Sequence, residues 1–374
     1  MKSKTKWIIG IVIVLIVVGI IIYQNNQNKE ETIKIGFIGP LTGDGAIFGM
    51  PEKNAMELIK DRVNSNGGIN GKKIEVIYED GRCDSREAVS GANKLIGVDR
   101  VKVIFTTCDA ETLAVAPIAE ENKVIQISTY GSGSKISHIG DYIFRACYSD
   151  NVTALIAAEA MLKENKKIGI ITEETSYPVS LSTDLKTHIT RLGGSYFEEK
   201  FPIASKDVRT QLLKIINEKP DAIFINPDTP TTGIVILKQL KNLDFKGKIY
   251  GNYFASSQEV QKLSEADGLI YIADPTVDDN LLKKNFLNEY YKRYGAYPDM
   301  EYPTVTTYDS FNVIVEIMQK VGDDPDKIKI YLENNSFQTI LGEYEFDSNH
   351  DLKNSYPSAS LVKNGTAVPY GVSQ

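Results

Sequence analysis

An α/β architecture of two doubly wound parallel-sheet lobes is predicted by three features. Strand-like and helix-like patterns alternate along nearly the whole chain, the alternation restarts near residue 154, and the strands read as short apolar runs. The 374 residues suffice for two lobes, each with its own core. With 42% hydrophobic and 24% charged residues, the composition fits a globular protein rather than a disordered one.

The chain opens with Lys2, Lys4 and Lys6, followed by an uninterrupted apolar run from Trp7 to Tyr23. At about 1.5 Å of rise per residue, such a run is near the lower limit for crossing a bilayer. The basic flank predicts an inside tail with the remainder outside. No small-x-small site follows the run, so residues 7–23 are expected to form an uncleaved signal anchor. A cleaved signal peptide is the alternative. The absence of a Cys near position 20 excludes a lipobox anchor. Residues 1–31 are thus read as anchor and polar linker, placing the rest on the extracytoplasmic face of the membrane.

The first lobe begins with a strand from Thr32 to Pro40, carrying Ile33, Ile35, Phe37 and Ile38. A helix from Asn54 to Val63 stops at Asn66-Gly67-Gly68. Ile74, Val76 and Tyr78 alternate with polar residues as a strand. Asp84-Ser85-Arg86-Glu87 reads as a capping box opening a helix with Ala88, Ala92 and Leu95 on one face. Val101–Phe105 is a buried strand, Asp109–Asn122 a helix and Val124–Ile127 a strand. The series restarts with a helix at Ala154–Leu162 and a strand at Lys167–Thr172. Helix Leu181–Leu192 ends at Gly193-Gly194. Strands at Tyr196–Phe201, Asp221–Asn226, Lys248–Gly251 and Gly268–Ile272 are separated by helices at Val208–Ile216 and Gly233–Leu243. Long helical stretches, Asn280–Tyr294 and Thr304–Val321, are expected to return to the first lobe. Chain crossings are placed near Arg145–Tyr148 and Ala273–Pro275. The expected lobes are residues 32–147 plus about 275–355, and residues 148–274 plus about 356–374.

Several functions are disfavoured. A net charge of −7 without a basic stripe argues against nucleic-acid binding. His138, His188 and His350 stand apart from one another and outside metal-binding spacings, so no metal or other cofactor is expected. Ser132-Gly133-Ser134-Lys135 matches Ser-x-x-Lys but lacks the companion Ser-Asp-Asn and Lys-Thr-Gly motifs. Asn66–Lys73 lacks the first glycine of a P-loop and carries Lys73 where Ser or Thr should bind magnesium. No catalytic constellation emerges, and the chain is not read as an enzyme.

Ligands of open parallel sheets sit beyond the carboxyl ends of the strands, and two such lobes make a cleft between them. The informative loops are Gly39–Phe48, Thr106–Glu111, Ser128–Ser134, Thr172–Tyr177, Asn226–Thr231 and Asn252–Ser257. They are rich in Ser, Thr, Tyr, Asp and Asn, types that also cap helices and make turns. Cys83 and Cys108 each follow a strand-like run. If those strands are neighbours the two thiols come within disulfide reach; two unrelated buried thiols are the alternative. Cys147 is left over as a small buried hydrophobe.

From about Ile33 to Ala367 the chain resembles the periplasmic leucine/isoleucine/valine-binding proteins of ABC importers. The segments that carry the resemblance are Ile35-Gly36-Phe37-Ile38-Gly39-Pro40-Leu41-Thr42-Gly43, Ile69-Asn70-Gly71-Lys72-Lys73-Ile74-Glu75 after Asn66-Gly67-Gly68, Cys83-Asp84 with Cys108, Tyr308-Asp309-Ser310 and Asn364-Gly365-Thr366. The resemblance implies a Cys83–Cys108 disulfide, capture of a small polar ligand such as an amino acid or amine, and an ABC permease as partner. A ligand-sensing ectodomain serving a separate signalling protein is the alternative. It also implies ligand contacts: Phe48 in the first loop, Asp109 at a position that helps hold a ligand carboxylate, Tyr130 and Ser132 around the polar head, and Tyr177, Asp228 and Tyr253 in the second lobe. Two positions depart from the family pattern. Asp109 would repel a carboxylate unless it turned away to cap its helix, and Tyr253 cannot neutralise an ammonium as an acid would. Asp228 can take that second role.

Overall fold

The structure is a computed structural model that describes residues 32–203, 205–275, 277 and 279–371. The expected anchor at residues 7–23 lies outside the described residues. Among those described, no helix is long and apolar enough to cross a membrane.

The first sheet has the order β2-β1-β3-β4-β5 and is entirely parallel: β1 Thr32–Gly39, β2 Lys73–Asp80, β3 Val103–Thr106, β4 Ile125–Ser128 and β5 Ile143–Arg145. On β1 the alternation sends Ile35 and Phe37 into one core with Phe105, Phe311 and Ile314, while Ile38 packs on the other face with Leu95, Ile104 and Val115. Burial on both faces explains the near-continuous apolar runs. The covering helices are α1 Ala46–Ser65, α2 Ser85–Asn93, continued by a π-helical turn at Lys94–Asp99, and α3 Asp109–Glu121.

The second sheet has the order β14-β13-β10-β9-β8-β6-β7. Its parallel members are β6 Lys167–Glu173, β7 Ser195–Phe201, β8 Ala222–Asn226, β9 Lys248–Gly251 and β10 Ile270–Ala273. The helices α4 Asp150–Leu162, α5 Ser176–Arg191, α6 Arg209–Asn217, α7 Pro230–Asn242 and the short α8 Gln258–Gln261 surround it. The chain then forms α9 Leu281–Tyr294, α10 Glu301–Val321, α11 Pro325–Asn334 and a hairpin of β11 Phe337–Thr339 with β12 Gly342–Tyr344. α10 packs against α1, next to the first sheet. The chain closes with β13 Ser358–Lys363 and β14 Thr366–Pro369, antiparallel strands that extend the second sheet beside β10.

Residues 350–352 run beside β5. The Arg145 N–H donates to the His350 carbonyl at 2.8 Å, and the Arg145 guanidinium, 1% exposed, pairs with Asp351 at 2.6 Å. One expectation needs correction. β2 and β3 are not neighbours, because β1 lies between them. The two cysteines meet because the loops beyond β2 and β3 reach toward each other past the end of β1, with Cα atoms 5.3 Å apart.

Candidate functional site

The first-lobe wall is built from three loops beyond β1, β3 and β4. Phe48 stands in the first turn of α1. Cys108 caps α3 and is bonded to Cys83. Glu111 locks this corner by accepting the Cys108 N–H at 2.9 Å and the Cys83 N–H at 3.0 Å. Gly81 makes room for it: a Cβ there would lie 2.2 Å from Glu111 Oε1. Because Glu111 makes the reciprocal cap, Asp109 is not spent on its helix. It turns across the cleft loop instead and accepts the Gly133 N–H at 3.0 Å. Gly133 is again the residue that allows this approach, since a Cβ there would meet Asp109 Oδ2 at 2.4 Å. Burial raises the Asp109 carboxyl to about 6, against the lowering effects of the Gly133 N–H and the Arg145 charge.

Beneath this wall lies Glu52, fully buried on α1. Its Oε2 accepts the Thr107 hydroxyl at 2.6 Å and the Thr129 hydroxyl at 3.2 Å. Burial lifts its carboxyl to about 8, with a further push from the charge of Glu111.

The second-lobe wall comes from the loops after β6, β8 and β9. Tyr177 is the second residue of α5. Asp228 donates its N–H to Glu173 at 2.8 Å, and its carboxyl is raised to about 7 by burial and by the Glu173 charge. The Tyr253 hydroxyl donates to the Asp228 carbonyl at 2.6 Å. Behind them Asn252 is fully buried. Its amide donates to Asn226 Oδ1 and to the Pro227 carbonyl, both at 2.8 Å, and its oxygen accepts the Phe254 N–H at 3.1 Å.

All seven residues singled out from the sequence meet at one small cavity between the lobes, together with the two disulfide cysteines. The cavity is about 30 Å³, the size of one or two waters, so in this arrangement the walls lie nearly in contact and a ligand of amino-acid size requires them to part. Four rings surround it. Tyr253 of the second lobe lies 5.1 Å from Tyr177, 5.5 Å from Tyr130 and 6.0 Å from Phe48, centroid to centroid. The lobes are also joined by a hydrogen bond from Ser134 to Asp184 on α5, and the Asp150 N–H donates to the Ser132 carbonyl at 2.8 Å.

Three residues outside the expected set, Asp274, Tyr148 and Tyr302, support this site. Asp274, just past β10, accepts the Tyr130 hydroxyl at 3.1 Å and the Tyr148 hydroxyl at 2.7 Å, and burial raises its carboxyl to about 6. Tyr302 packs against Tyr130 and Tyr148 with centroids 6.2 and 5.6 Å away. Asp274 follows a strand, the same signal that selected the other loops. Tyr302 sits at the start of α10, where sequence offers no cue that it will reach the cleft.

Among the described residues one His/Cys/Asp/Glu group is close enough for a metal, Cys83, Cys108 and Glu111, but its two sulfurs are bonded to each other. His188 pairs with Asn151 at 2.9 Å, and His350 stacks on Phe144. Cys147 is buried, its thiol 3.2 Å from the Gly131 carbonyl.

A family model described as periplasmic binding protein matches residues 32–366. The leucine-, isoleucine-, valine-, threonine-, and alanine-binding protein of Pseudomonas aeruginosa is 25% identical over 89% of this chain and 90% of its own length. The Leu/Ile/Val-binding protein of Escherichia coli K12 is 24% identical, covering 92% of this chain and 95% of its own. A leucine-binding protein of Thermotoga maritima superposes with a TM-score of 0.81 at 25% identity, over 91% of this chain and 98% of the other. A solute-binding protein of R. palustris in complex with benzoate shares the fold, with a TM-score of 0.80 at 18% identity, over 91% of this chain and 96% of the other.

Proposed function

Because the chain belongs to the periplasmic binding protein family, a family of binding proteins rather than enzymes, we propose that it captures an amino acid or similar small polar ligand between its lobes on the extracytoplasmic side and delivers it to an ABC permease. The observation that carries this reading is the single cavity lined by Phe48, Asp109, Tyr130 and Ser132 from one lobe and by Tyr177, Asp228 and Tyr253 from the other. A ligand held there touches both walls only when the lobes are together. Its binding energy therefore favours the closed arrangement over the open one, and the permease can read that closure. The names of the relatives support the ligand class. Residues 7–23 would tether the protein to the membrane.

A thermal-shift screen of the purified protein against amino acids, amines, amides, nucleosides and small carboxylates tests the reading. A ligand at a hundred times its Kd should add about 2.7 kcal/mol of stability. Tyr177→Ala should weaken that ligand and leave the fold intact. Unchanged affinity in Tyr177→Ala would remove Tyr177 from the wall. Absence of stabilisation by every compound would count against small-molecule capture, and recovery of a kinase rather than a permease with the protein would favour a sensing role.

A further inference from the structure

Resting on the solute-binding reading, we infer that the cleft takes a small organic cation, an alkylammonium or quaternary ammonium compound, in preference to a zwitterionic amino acid. The charge of the walls points that way. Two of the residues lining the cavity are carboxylates, Asp109 and Asp228, one from each lobe, and none is Lys, Arg or His. Arg145, whose charge does reach Asp109, does not line the cavity. Its guanidinium donates to the Ser132 and Gly133 carbonyls, to Ser137 and to Asp351.

Three of the donors beside the cavity are already engaged by the protein itself. The Gly133 N–H is taken by Asp109, the Tyr253 hydroxyl by the Asp228 carbonyl, and the Tyr130 hydroxyl by Asp274. Asp109 thus seats a carboxylate of the chain itself on the Gly133 N–H. Its second oxygen, in a residue 4% exposed, has no well-formed hydrogen bond among the described residues. A buried acceptor in that condition calls for a donor or a positive charge from the ligand.

The rest of the lining suits a cation as well. Phe48, Tyr130, Tyr177 and Tyr253 bring four aromatic rings from both lobes around one small space, and an ammonium group that settles over any of their faces is held by the negative charge of the ring. The charges of Asp109, Asp228, Asp274 and Glu173 all act on Tyr253, so the negative potential is not confined to one corner. A zwitterion would have to place its carboxylate in this field, whereas a cation meets two carboxylates and the rings with nothing left over.

The test varies charge on one carbon skeleton. Isothermal titration calorimetry of the purified full chain would compare 3-methylbutylamine, leucine and 3-methylbutanoate, with tetramethylammonium as a compact quaternary probe. The expected result is at least tenfold tighter binding of one of the two cations than of leucine, and no detectable binding of 3-methylbutanoate. Asp228→Asn should weaken the cation about tenfold. Asp109→Ser should weaken the cation and strengthen leucine, because it removes the internal carboxylate and frees the Gly133 N–H. If Asp109→Ser fails to fold, the Asp228→Asn measurement stands on its own. Leucine or 3-methylbutanoate binding more tightly than both cations would overturn the inference and leave solute capture standing. Failure of both cations to bind would also overturn it. The solute-binding reading falls separately, only if nothing in the wider thermal-shift screen stabilises the protein.

Discussion

The two walls of the cleft are held in place by different chemistry. The first-lobe wall is fixed by a disulfide, by Glu111 bridging the backbones of both cysteines, and by the buried Glu52 under the loops after β3 and β4. The second-lobe wall has no covalent bond among its described residues. Hydrogen bonds fasten it: the Asn252 amide to Asn226 and Pro227, the Tyr253 hydroxyl to the Asp228 carbonyl, and the Asp228 N–H to the Glu173 carboxylate. The first wall is therefore a prebuilt seat, sensitive to pH and to reductant. The second is a set of side chains carried on loops that hydrogen bonds alone keep in register. A protein that must open and close benefits from one rigid wall against which the other can come to rest.

The largest difference should appear with pH. Glu52 and Glu111 are both raised by burial to about 8, from an ordinary 4.5. Between those values the folded state holds a proton on each that the unfolded chain has released. Stability should therefore fall as pH rises from about 5 to 8, by up to about 1.4 kcal/mol per pH unit for each such proton. Besides Glu111, the groups acting on Glu52 are the hydroxyls of Thr107, Thr129 and Thr307, which lower its pKa, but burial outweighs them and sets the sign. Glu52→Gln keeps the shape and removes one titration. Urea midpoints at pH 5.5 and pH 8 should differ less in this variant than in the parent, with Glu111 supplying part of what remains. An equal difference in both proteins would mean that Glu52 does not titrate in this range.

That sensitivity was hidden in the sequence. Met50-Pro51-Glu52-Lys53 lies ahead of the helix expected from Asn54 and carries no sign of burial, and only the packing of the loops after β3 and β4 puts Glu52 inside. The doubly wound lobes were legible because the inner parallel strands are buried on both faces and stand out as apolar runs between helices, while β2, at an edge, shows as an alternation. β13 and β14 escaped for the opposite reason: they lie at the sheet edge, half exposed, where Ser358–Lys363 shows little apolar pattern. β5 is only three residues long and α11 is short, with apolar residues on exposed as well as buried positions, so neither shows a clear period. The seven positions that meet at the cavity were legible from readable strand ends and the family resemblance together. Their hydrogen bonds were not. Nothing local tells that Asp109 will leave its own helix for Gly133, because that choice depends on Glu111 making the cap first.

Removal of the disulfide should have the next largest effect. Cys83 and Cys108 are 25 residues apart, and closing such a loop is worth roughly 3.5 kcal/mol in the chain-entropy model. Cys83→Ser with Cys108→Ser should lower the urea midpoint accordingly and loosen the first wall, weakening ligand binding as well. A thiol titration of the denatured, unreduced parent should count one free group, Cys147. Three thiols, or a double variant as stable as the parent, would remove the covalent half of the contrast.

The smallest effect is expected on the other wall. Tyr253→Phe deletes the hydroxyl that donates to the Asp228 carbonyl and keeps the ring among Phe48, Tyr130 and Tyr177. One neutral hydrogen bond of this kind contributes about 0.5–1.5 kcal/mol, so the urea midpoint should shift only slightly. Ligand affinity should change more than stability does, because the lost bond fixes the backbone of Asp228, which faces the cavity from the second lobe. The fully buried Asn252 would still hold the preceding residue, Pro227, in place. If stability fell as far as it does on loss of the disulfide, the second wall would be as strongly braced as the first. The division into a fixed seat and an adjustable partner would then have to be given up.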